Sequence, residues 1–264
     1  METRRLGATG PMVSALGLGT VKLGRNTGVK YPGADAAFPL PTDAEARALL
    51  DTARELGINL LDTAPAYGTS EERLGSLIGA APGGWDGWVL CTKVGEEFDG
   101  QHSRFDFSGG AVRASVERSL KRLRRERLDI VLIHSDGNDT DILDHSGAPE
   151  ELARLRAQGR IGRIGMSTKT VAGALRAAEL LDVVMVALNP AATADLPAIA
   201  RAKELGKGVM IKKAMAQGHS ASADALRFAV NTPGVSSVVV GTVSPGHLRE
   251  NVTGIGAAGS PETA

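Results

Sequence analysis

Short apolar runs alternate along the chain with stretches whose apolar residues recur every three or four positions. The runs predict buried strands at 16–20, 58–62, 88–93, 128–134, 161–167, 183–189, 208–213 and 235–240. The stretches between them predict helices at 43–56, 70–78, 109–125, 149–158, 170–180, 194–205, 221–231 and 244–253. Strict alternation predicts a parallel sheet, and eight strand–helix pairs predict a closed (β/α)8 TIM barrel.

Three segments fall outside this alternation. Residues 3–15 predict two short strands around a Gly-Ala-Thr-Gly turn. Residues 22–41 follow neither period and are too long for a plain connector, which predicts a lid or substrate loop, with an ordered surface loop equally open. Residues 254–264 are small and polar and are expected to fray. No linker-like stretch divides the chain, so we expect residues 1–264 to form a single domain.

The stretch 58–75 combines a strand, a loop and a helix start. Its apolar run ends in Asp62 and Thr63, polar groups that the interior of a strand would not tolerate. Ser70 is expected to cap the helix that follows, as Asp43 is expected to cap the helix before it. Polar residues at the carboxyl end of a barrel strand lie where barrel enzymes carry their chemistry.

Four residues at or just beyond strand ends are candidates for catalysis: Asp62, Tyr67, Lys93 and His134. The alternation of side chains along a strand puts Cys91 and Lys93 on one face, which we expect to be the barrel interior. A charged Lys93 at the rim of that interior needs a partner, and Asp62 on the adjacent strand is the nearest candidate.

Together these side chains suggest a proton donor. A tyrosine has a pKa near 10, and a neighbouring ammonium group stabilises the phenolate and lowers that value. Asp62 would hold Lys93 charged, while His134 would donate a hydrogen bond to a substrate oxygen or share in proton transfer. Singly, each residue also has a simpler interpretation. A lone strand-end histidine is more often structural, Lys93 could form a Schiff base or lie at the surface, and Cys91 fits the core.

The run DTAPAYGTSEERLG, Asp62–Gly75, resembles the signature of the aldo-keto reductases at every fixed position. The resemblance implies that Asp62, Tyr67, Lys93 and His134 form the catalytic tetrad, with Tyr67 as the general acid. It implies reduction of a small aldehyde or ketone by hydride from a nicotinamide cofactor, NADP(H) first and NAD(H) as a possibility. It also implies that the N-terminal hairpin closes the bottom of the barrel.

The second half of the chain is similar to the cofactor-binding half of that family. The resemblance implies cofactor contacts at Gly19, Thr20, Asp62, Ser167, Thr168, Asn189, Lys212, Lys213, Met215, Gly218, Gly241, Thr242, Ser244, His247, Glu250 and Asn251. Thr168 and Met185 stand where many members have Asn and Gln. Lys212 stands in place of the aromatic residue under the nicotinamide, and Gly241 and His247 replace the Lys and Arg of the 2′-phosphate site.

Composition narrows the remaining possibilities. Lys plus Arg and Asp plus Glu both number 30, so no basic surplus points to nucleic acid or a membrane surface. The basic run 121–127 is interleaved with acidic residues and is expected to be a solvated helix face. One cysteine, Cys91, fits a reducing compartment, and a cytoplasmic location is expected. No metal site is expected, and no oligomeric state can be derived.

Two alternatives to a carbonyl reductase remain open from the sequence. A barrel of the same fold could serve as a cofactor-sensing regulatory subunit with slow or no turnover. A Schiff-base lyase could use Lys93 or Lys212 as its amine.

Overall fold

Eight parallel strands form a closed barrel in the computed structural model, which describes residues 1–29, 38–216 and 222–256. The barrel strands are β3 (Leu16–Gly19), β4 (Leu60–Asp62), β5 (Val89–Val94), β8 (Leu128–His134), β9 (Ile161–Ser167), β10 (Val183–Ala187), β11 (Gly208–Lys212) and β12 (Ser237–Gly241). β12 pairs with β3 and closes the ring. The predicted (β/α)8 TIM barrel is confirmed.

Helices follow the barrel strands and cover the outside of the barrel. They are α1 (Val21–Gly24), α2 (Asp43–Glu55), α3 (Ser70–Leu74), α4 (Gly109–Leu123), α5 (Asp139–His145), α6 (Ala148–Ala157), α7 (Val171–Leu180), α8 (Leu196–Glu204), α9 (Ala223–Asn231) and α10 (Pro245–Gly256). The predicted helix 70–78 is α3 followed by a π-helical turn at Gly75–Gly79.

The structure contains several short elements that the sequence pattern did not predict. The hairpin β6 (Glu96–Phe98) and β7 (Ser103–Phe105) follows β5, and α5 follows β8. The loop predicted at 22–41 begins with α1 instead of irregular chain. Elements of three to seven residues are too short to display a period, so their patterns carry no signal. Residues 30–37 of that loop and residues 257–264 of the predicted tail 254–264 lie outside the described residues. Residues 254–256, expected to belong to that tail, form the end of α10 instead.

Both predicted helix caps were wrong by one residue. Thr42, not Asp43, caps α2: its side chain accepts from the Glu45 amide, and the Glu45 carboxylate accepts from the Thr42 amide. Ser70 is the first residue of α3 and not its cap, because Thr69 occupies that position without a side-chain hydrogen bond. The Ser70 hydroxyl is buried and donates to Thr20 instead.

The barrel interior is filled by apolar side chains from its strands, as the alternation along each strand predicted. The cluster consists of Leu6, Val13, Leu60, Cys91, Ile130, Leu132, Val183, Met185 and Met210. Leu6 and Val13 belong to the N-terminal hairpin, β1 (Thr3–Arg5) and β2 (Met12–Ser14), which therefore closes the bottom of the barrel. Burying one such side chain stabilises the fold by about 1.5–3 kcal/mol. The carboxyl ends of the strands, at the opposite end of the barrel, carry the polar residues above this packed interior.

A second, larger apolar cluster joins the outside of the barrel to the helices. It includes Leu49 of α2, Val116 of α4 and Ala177 of α7, all fully buried or nearly so. Within the described parts of the chain, no helix is both long and apolar enough to cross a membrane.

Candidate active site

Three neighbouring strands bring polar side chains to the carboxyl end of the barrel. Asp62 ends β4, Lys93 lies near the end of β5, and His134 ends β8. β4 pairs with β5, and β5 pairs with β8, in parallel register. The sequence order of these strands is therefore also their order around the barrel, which places the three side chains side by side.

Lys93 lies at the centre of this group. Its ammonium group donates to Asp62 Oδ1 at 2.7 Å, to the Thr63 carbonyl at 2.9 Å and to the Tyr67 hydroxyl at 3.1 Å. These contacts employ all three of its protons. Burial alone would lower the pKa of Lys93, but the negative charge of Asp62, followed by the electrostatic effect of the Tyr67 oxygen, outweighs it and raises that pKa above its ordinary value. Lys93 is therefore a fixed cation against the Tyr67 oxygen, and the expected pairing with Asp62 is confirmed.

Tyr67 is placed by close backbone packing. It ends a single 3₁₀ turn, Pro65–Tyr67, and Gly68 follows with a φ of 61°. A Cβ atom on Gly68 would lie 2.1 Å from the Gly24 carbonyl oxygen, and one on Gly24 would lie 2.4 Å from the Tyr67 carbonyl oxygen. Two glycine residues thus let the loop after β4 lie directly on α1, which fixes the tyrosine above the barrel.

His134 completes the group beside Tyr67. The two rings meet edge to face with centroids 6.2 Å apart. Burial lowers the pKa of His134, and neighbouring Glu96 partly opposes this shift. The side chain is therefore a neutral imidazole at pH 7.

Glu96, which sequence reasoning missed, lies against the imidazole. Its Oε2 is 2.8 Å from His134 Nδ1, an electrostatic contact whose geometry is not that of a linear hydrogen bond. Burial alone would raise the pKa of Glu96, but contacts with His134, Ser103 and Arg25 lower it to about 2. The sequence offered one signal for Glu96: it is a charged residue three positions after Lys93, in the loop that enters the barrel mouth.

Arg25 ties this region together from the loop after β3. Its guanidinium stacks 3.6 Å above the Phe98 ring, donates to the Ala66 carbonyl at 2.9 Å and lies 3.9 Å from Glu96 Oε1. It therefore joins the loop that carries Tyr67 to the hairpin that carries Glu96.

The opposite side of the mouth contains the residues expected to bind a cofactor. Lys212 of β11 donates to Ser167 Oγ at 2.9 Å and to the Thr168 carbonyl at 2.7 Å. Burial, followed by the positive charges of Lys213 and Lys93, lowers the pKa of Lys212 to about 7. The structure thus brings Lys212 and Ser167 together and gives the lysine an amine that titrates near neutrality.

Other expected cofactor residues already bond within the protein. Asn189 donates to the Lys213 carbonyl at 3.1 Å and accepts from the Ala191 amide, which holds the corner after β10. Thr20 is fully buried, and its hydroxyl donates to the Asp62 carbonyl at 2.9 Å. Its side chain therefore serves the barrel itself.

The last strand and helix supply a second group of expected contacts. The Thr242 hydroxyl accepts from the Ser244 amide, and the Ser244 hydroxyl accepts from the His247 amide, so both shape the start of α10. Glu250 is exposed and Asn251 half-buried further along α10.

The remaining expected contacts are less informative. Gly19 pairs in register with Gly241 across the closing seam of the barrel. Met215 packs against the outer apolar cluster. Gly218 lies outside the described residues.

The donor groups on this side suit a dinucleotide. Hydroxyl groups, an amide and the ammonium groups of Lys212 and Lys213 offer hydrogen bonds and positive charge to a ligand that carries phosphates and a carboxamide. The Ser167 hydroxyl already accepts a hydrogen bond from Lys212, so a ligand that uses this hydroxyl has to share it with Lys212. With that one restriction, the donor groups on this side fit a nicotinamide cofactor. Among the described residues, no cluster of His, Cys, Asp and Glu could hold a metal ion.

Comparison with known proteins agrees with this geometry. The Aldo/keto reductase family model matches residues 15–204. D-threo-aldose 1-dehydrogenase from a Pseudomonas species is 33% identical over 74% of this chain and 67% of its own length. L-galactose dehydrogenase from Arabidopsis thaliana is 28% identical over 97% of this chain and 88% of its own length.

Solved structures give the same result. A crystal structure described as an aldo-keto reductase of Pseudomonas aeruginosa is 47% identical, with a TM-score of 0.86 over 96% of this chain and 93% of its own. A more distant aldo-keto reductase from Bacillus halodurans, 23% identical, shares the fold with a TM-score of 0.79 over 100% of this chain and 93% of its own. The family match covers most of the chain and includes the strands that carry Asp62, Lys93 and His134, so the chain belongs to the aldo/keto reductase family.

Proposed function

We propose that this protein interconverts small aldehydes or ketones and the corresponding alcohols, with Tyr67 as the proton donor and a nicotinamide cofactor as hydride carrier. The observation that carries the proposal is the contact between the buried Lys93 ammonium and the Tyr67 oxygen, with Asp62 as the counter-charge. Two curated relatives are named as dehydrogenases of sugars, which supports an oxidoreductase of small carbonyl compounds.

The four polar side chains have separate tasks in this reaction. Lys93 places a fixed positive charge beside the phenol oxygen, so the phenolate left after proton transfer is stabilised where it forms. Asp62 compensates the buried ammonium and holds it in place. Tyr67 gives its proton to the substrate oxygen during reduction and takes it back during oxidation. His134 contacts the same oxygen from the other side.

The cofactor would be held along the side of the mouth opposite Tyr67. Ser167, Asn189, Lys212 and Lys213 would supply polar contacts to the carboxamide and the phosphates, and the first turn of α10 would receive the adenosine end. When bound, the cofactor supplies or accepts the hydride, which no side chain can do. We propose that NADP(H) and NAD(H) are both accepted with a modest preference for NADP(H), because Gly241 and His247 provide no permanent charge for a 2′-phosphate.

The test is an absorbance assay of NADPH and NADH oxidation with a panel of small aldehydes, using wild type and Tyr67→Phe. Turnover in wild type that falls sharply in the variant supports the proposal. Tight NADPH binding with no turnover on any carbonyl would instead favour a cofactor-sensing subunit.

A further inference from the structure

His134 has an anionic neighbour for which the proposed reaction has no task. Glu96 Oε2 lies 2.8 Å from His134 Nδ1. With its pKa lowered to about 2, Glu96 is ionised at any working pH, and an ionised carboxylate has only acceptor oxygens. At this distance the negative charge of the carboxylate attracts an N–H group and repels a nitrogen lone pair, even though the contact is not linear. The contact therefore favours a ring proton on Nδ1.

A neutral imidazole has one ring proton, so its position decides what the other nitrogen can do. The charged groups around His134 are Glu96, Lys93 and Lys212, and burial with the two lysines keeps the ring neutral at pH 7. A proton on Nδ1 leaves a lone pair on Nε2. In that state Nε2 accepts a hydrogen bond and cannot donate one.

Resting on the proposed function, which puts the substrate oxygen between Tyr67 and His134, we propose that Glu96 is a positioning residue that keeps the ring proton on Nδ1 and makes Nε2 an acceptor for a substrate hydroxyl group. Tyr67 then donates to the substrate oxygen and His134 accepts from it. An alcohol oxygen satisfies both, because a hydroxyl group accepts one hydrogen bond and donates another. A carbonyl oxygen only accepts, so the site binds an alcohol more completely than the matching carbonyl.

The surroundings of Glu96 fit this task. Ser103 of the same hairpin donates to Glu96 Oε1 at 2.6 Å, and the Arg25 guanidinium lies 3.9 Å away. Arg25 is itself held by the Ala66 carbonyl and the Phe98 ring. The carboxylate is therefore fixed before any ligand binds, so it imposes the tautomer on His134 instead of adjusting to it.

The next residue provides a matched control. Glu97 lies beside Glu96 on β6, but its carboxylate accepts from Ser115 and pairs with Arg118, both on α4. Replacing Glu97 removes the same charge from the same strand without touching the imidazole.

The first experiment reads the tautomer directly. The full chain, labelled with ¹⁵N-histidine, is studied by long-range ¹⁵N–¹H correlation at about pH 8, with the His134 signals assigned by their absence in His134→Asn. We expect a protonated Nδ1 and an unprotonated Nε2 in wild type and Glu97→Leu, and a shift of the proton towards Nε2 in Glu96→Leu. A protonated Nε2 in wild type, or an unchanged tautomer in Glu96→Leu, overturns the proposal. The wild-type spectrum decides the matter even if Glu96→Leu does not fold.

The second experiment measures alcohol binding as product inhibition of aldehyde reduction. Loss of one hydrogen bond should raise the inhibition constant of the alcohol about three- to tenfold in Glu96→Leu, with no increase in the aldehyde KM and no change in Glu97→Leu. An equal effect on alcohol and aldehyde contradicts a hydroxyl-specific contact. Absence of turnover in wild type would refute the proposed function. The spectrum tests the tautomer of His134 independently of turnover.

Discussion

Lys93 and Asp62 form an ion pair of 2.7 Å in which the side chains are only 1% and 5% exposed. Taking two charges out of water is costly, and the pair is tolerable only because each charge compensates the other. The Tyr67 hydroxyl and the Thr63 carbonyl complete the bonding of the ammonium group. Placing a permanent positive charge beside the phenol of Tyr67 therefore lowers the stability of the fold.

Removing the hydroxyl group of Tyr67 tests the proton donor. Tyr67→Phe should lower kcat for aldehyde reduction by about a hundredfold or more, as the loss of a positioned acid does. Cofactor affinity should change little because the ring remains. The measurements are steady-state turnover and a fluorescence titration with NADPH, with thermal unfolding as the control for folding. Near-native turnover with chemistry limiting would remove Tyr67 from the role of acid.

The buried ion pair predicts strong coupling between Lys93 and Asp62. Lys93→Met leaves a carboxylate uncompensated and should lower the free energy of unfolding by about 3–5 kcal/mol. Adding Asp62→Asn to that variant should cost much less than it does in wild type. Urea unfolding of the four proteins measures the coupling, and additive losses would contradict the pairing.

The same pair has a predictable pH dependence. The folded-state pKa of Lys93 is raised, so its stabilising contribution is complete below the unfolded value near 10.4 and is lost only as pH rises through the folded value. Lys93 should therefore keep its proton from about pH 6 to about pH 9, which the ¹⁵N chemical shift of its side-chain nitrogen measures, with Lys93→Met as the control for assignment. A titration of that signal within this range would show that Lys93 loses its proton there.

Lys212 should behave as a reactive amine. With its pKa lowered to about 7, a large fraction is neutral at pH 8, whereas an ordinary lysine with a pKa near 10.4 is almost fully charged. We expect acylation of Lys212 at least about tenfold faster than that of the exposed Lys121, measured by peptide mass spectrometry, and protection by NADPH. Equal rates for the two lysines would contradict the environment described for Lys212.

The same amine allows a test of the Schiff-base alternative. Borohydride treatment in the presence of an aldehyde should leave Lys93 unmodified, because its pKa is raised and it stays charged. Any trapped adduct is expected at Lys212. If Lys212→Met abolished both trapping and turnover while Tyr67→Phe retained turnover, the lyase would replace the reductase as the better explanation.

Cofactor choice should depend on the exposed first half of α10. His247→Arg adds a permanent charge with two parallel donors, which suits a 2′-phosphate better than an imidazole. The ratio of NADH to NADPH dissociation constants should rise about fivefold, a modest change because residue 247 is exposed and water screens the new charge. Thr253→Arg, at an exposed site farther along the same helix, is the control for a general charge effect. An equal gain in both variants would exclude a specific phosphate contact at residue 247.

Much of this architecture was readable from the sequence. The barrel follows from alternation that repeats along the chain, and parallel neighbours automatically bring Asp62, Lys93 and His134 to one rim. Glu96 could not be placed in the same way. It lies in a three-residue strand whose partner, Ser103–Phe105, is equally short. No sequence pattern indicates that this hairpin packs against His134.

The cap errors have a similar origin. A run such as Thr69-Ser70-Glu71 offers two adjacent hydroxyl residues, and sequence rules favour either as a cap. Tertiary contacts decide which residue caps the helix, because the Ser70 hydroxyl is buried against the Thr20 oxygens and is not available as a cap. The Thr63 hydroxyl, directly after β4, donates to the same Ser70 oxygen, so the hydroxyl that a local rule assigns to the helix links the ends of β3 and β4.

The contact between Gly24 and the Tyr67–Ser70 segment sets a boundary for enzyme engineering. A Cβ atom at Gly24 would lie 2.1 Å from the Ser70 amide nitrogen, so any other residue there displaces the segment that presents the tyrosine. Libraries meant to alter substrate range should therefore leave residues 21–25 and 65–70 constant. Diversity belongs at the exposed Thr27, whereas Gly28 should be kept because its φ is 60° and a Cβ atom there would lie 3.0 Å from the Arg25 guanidinium.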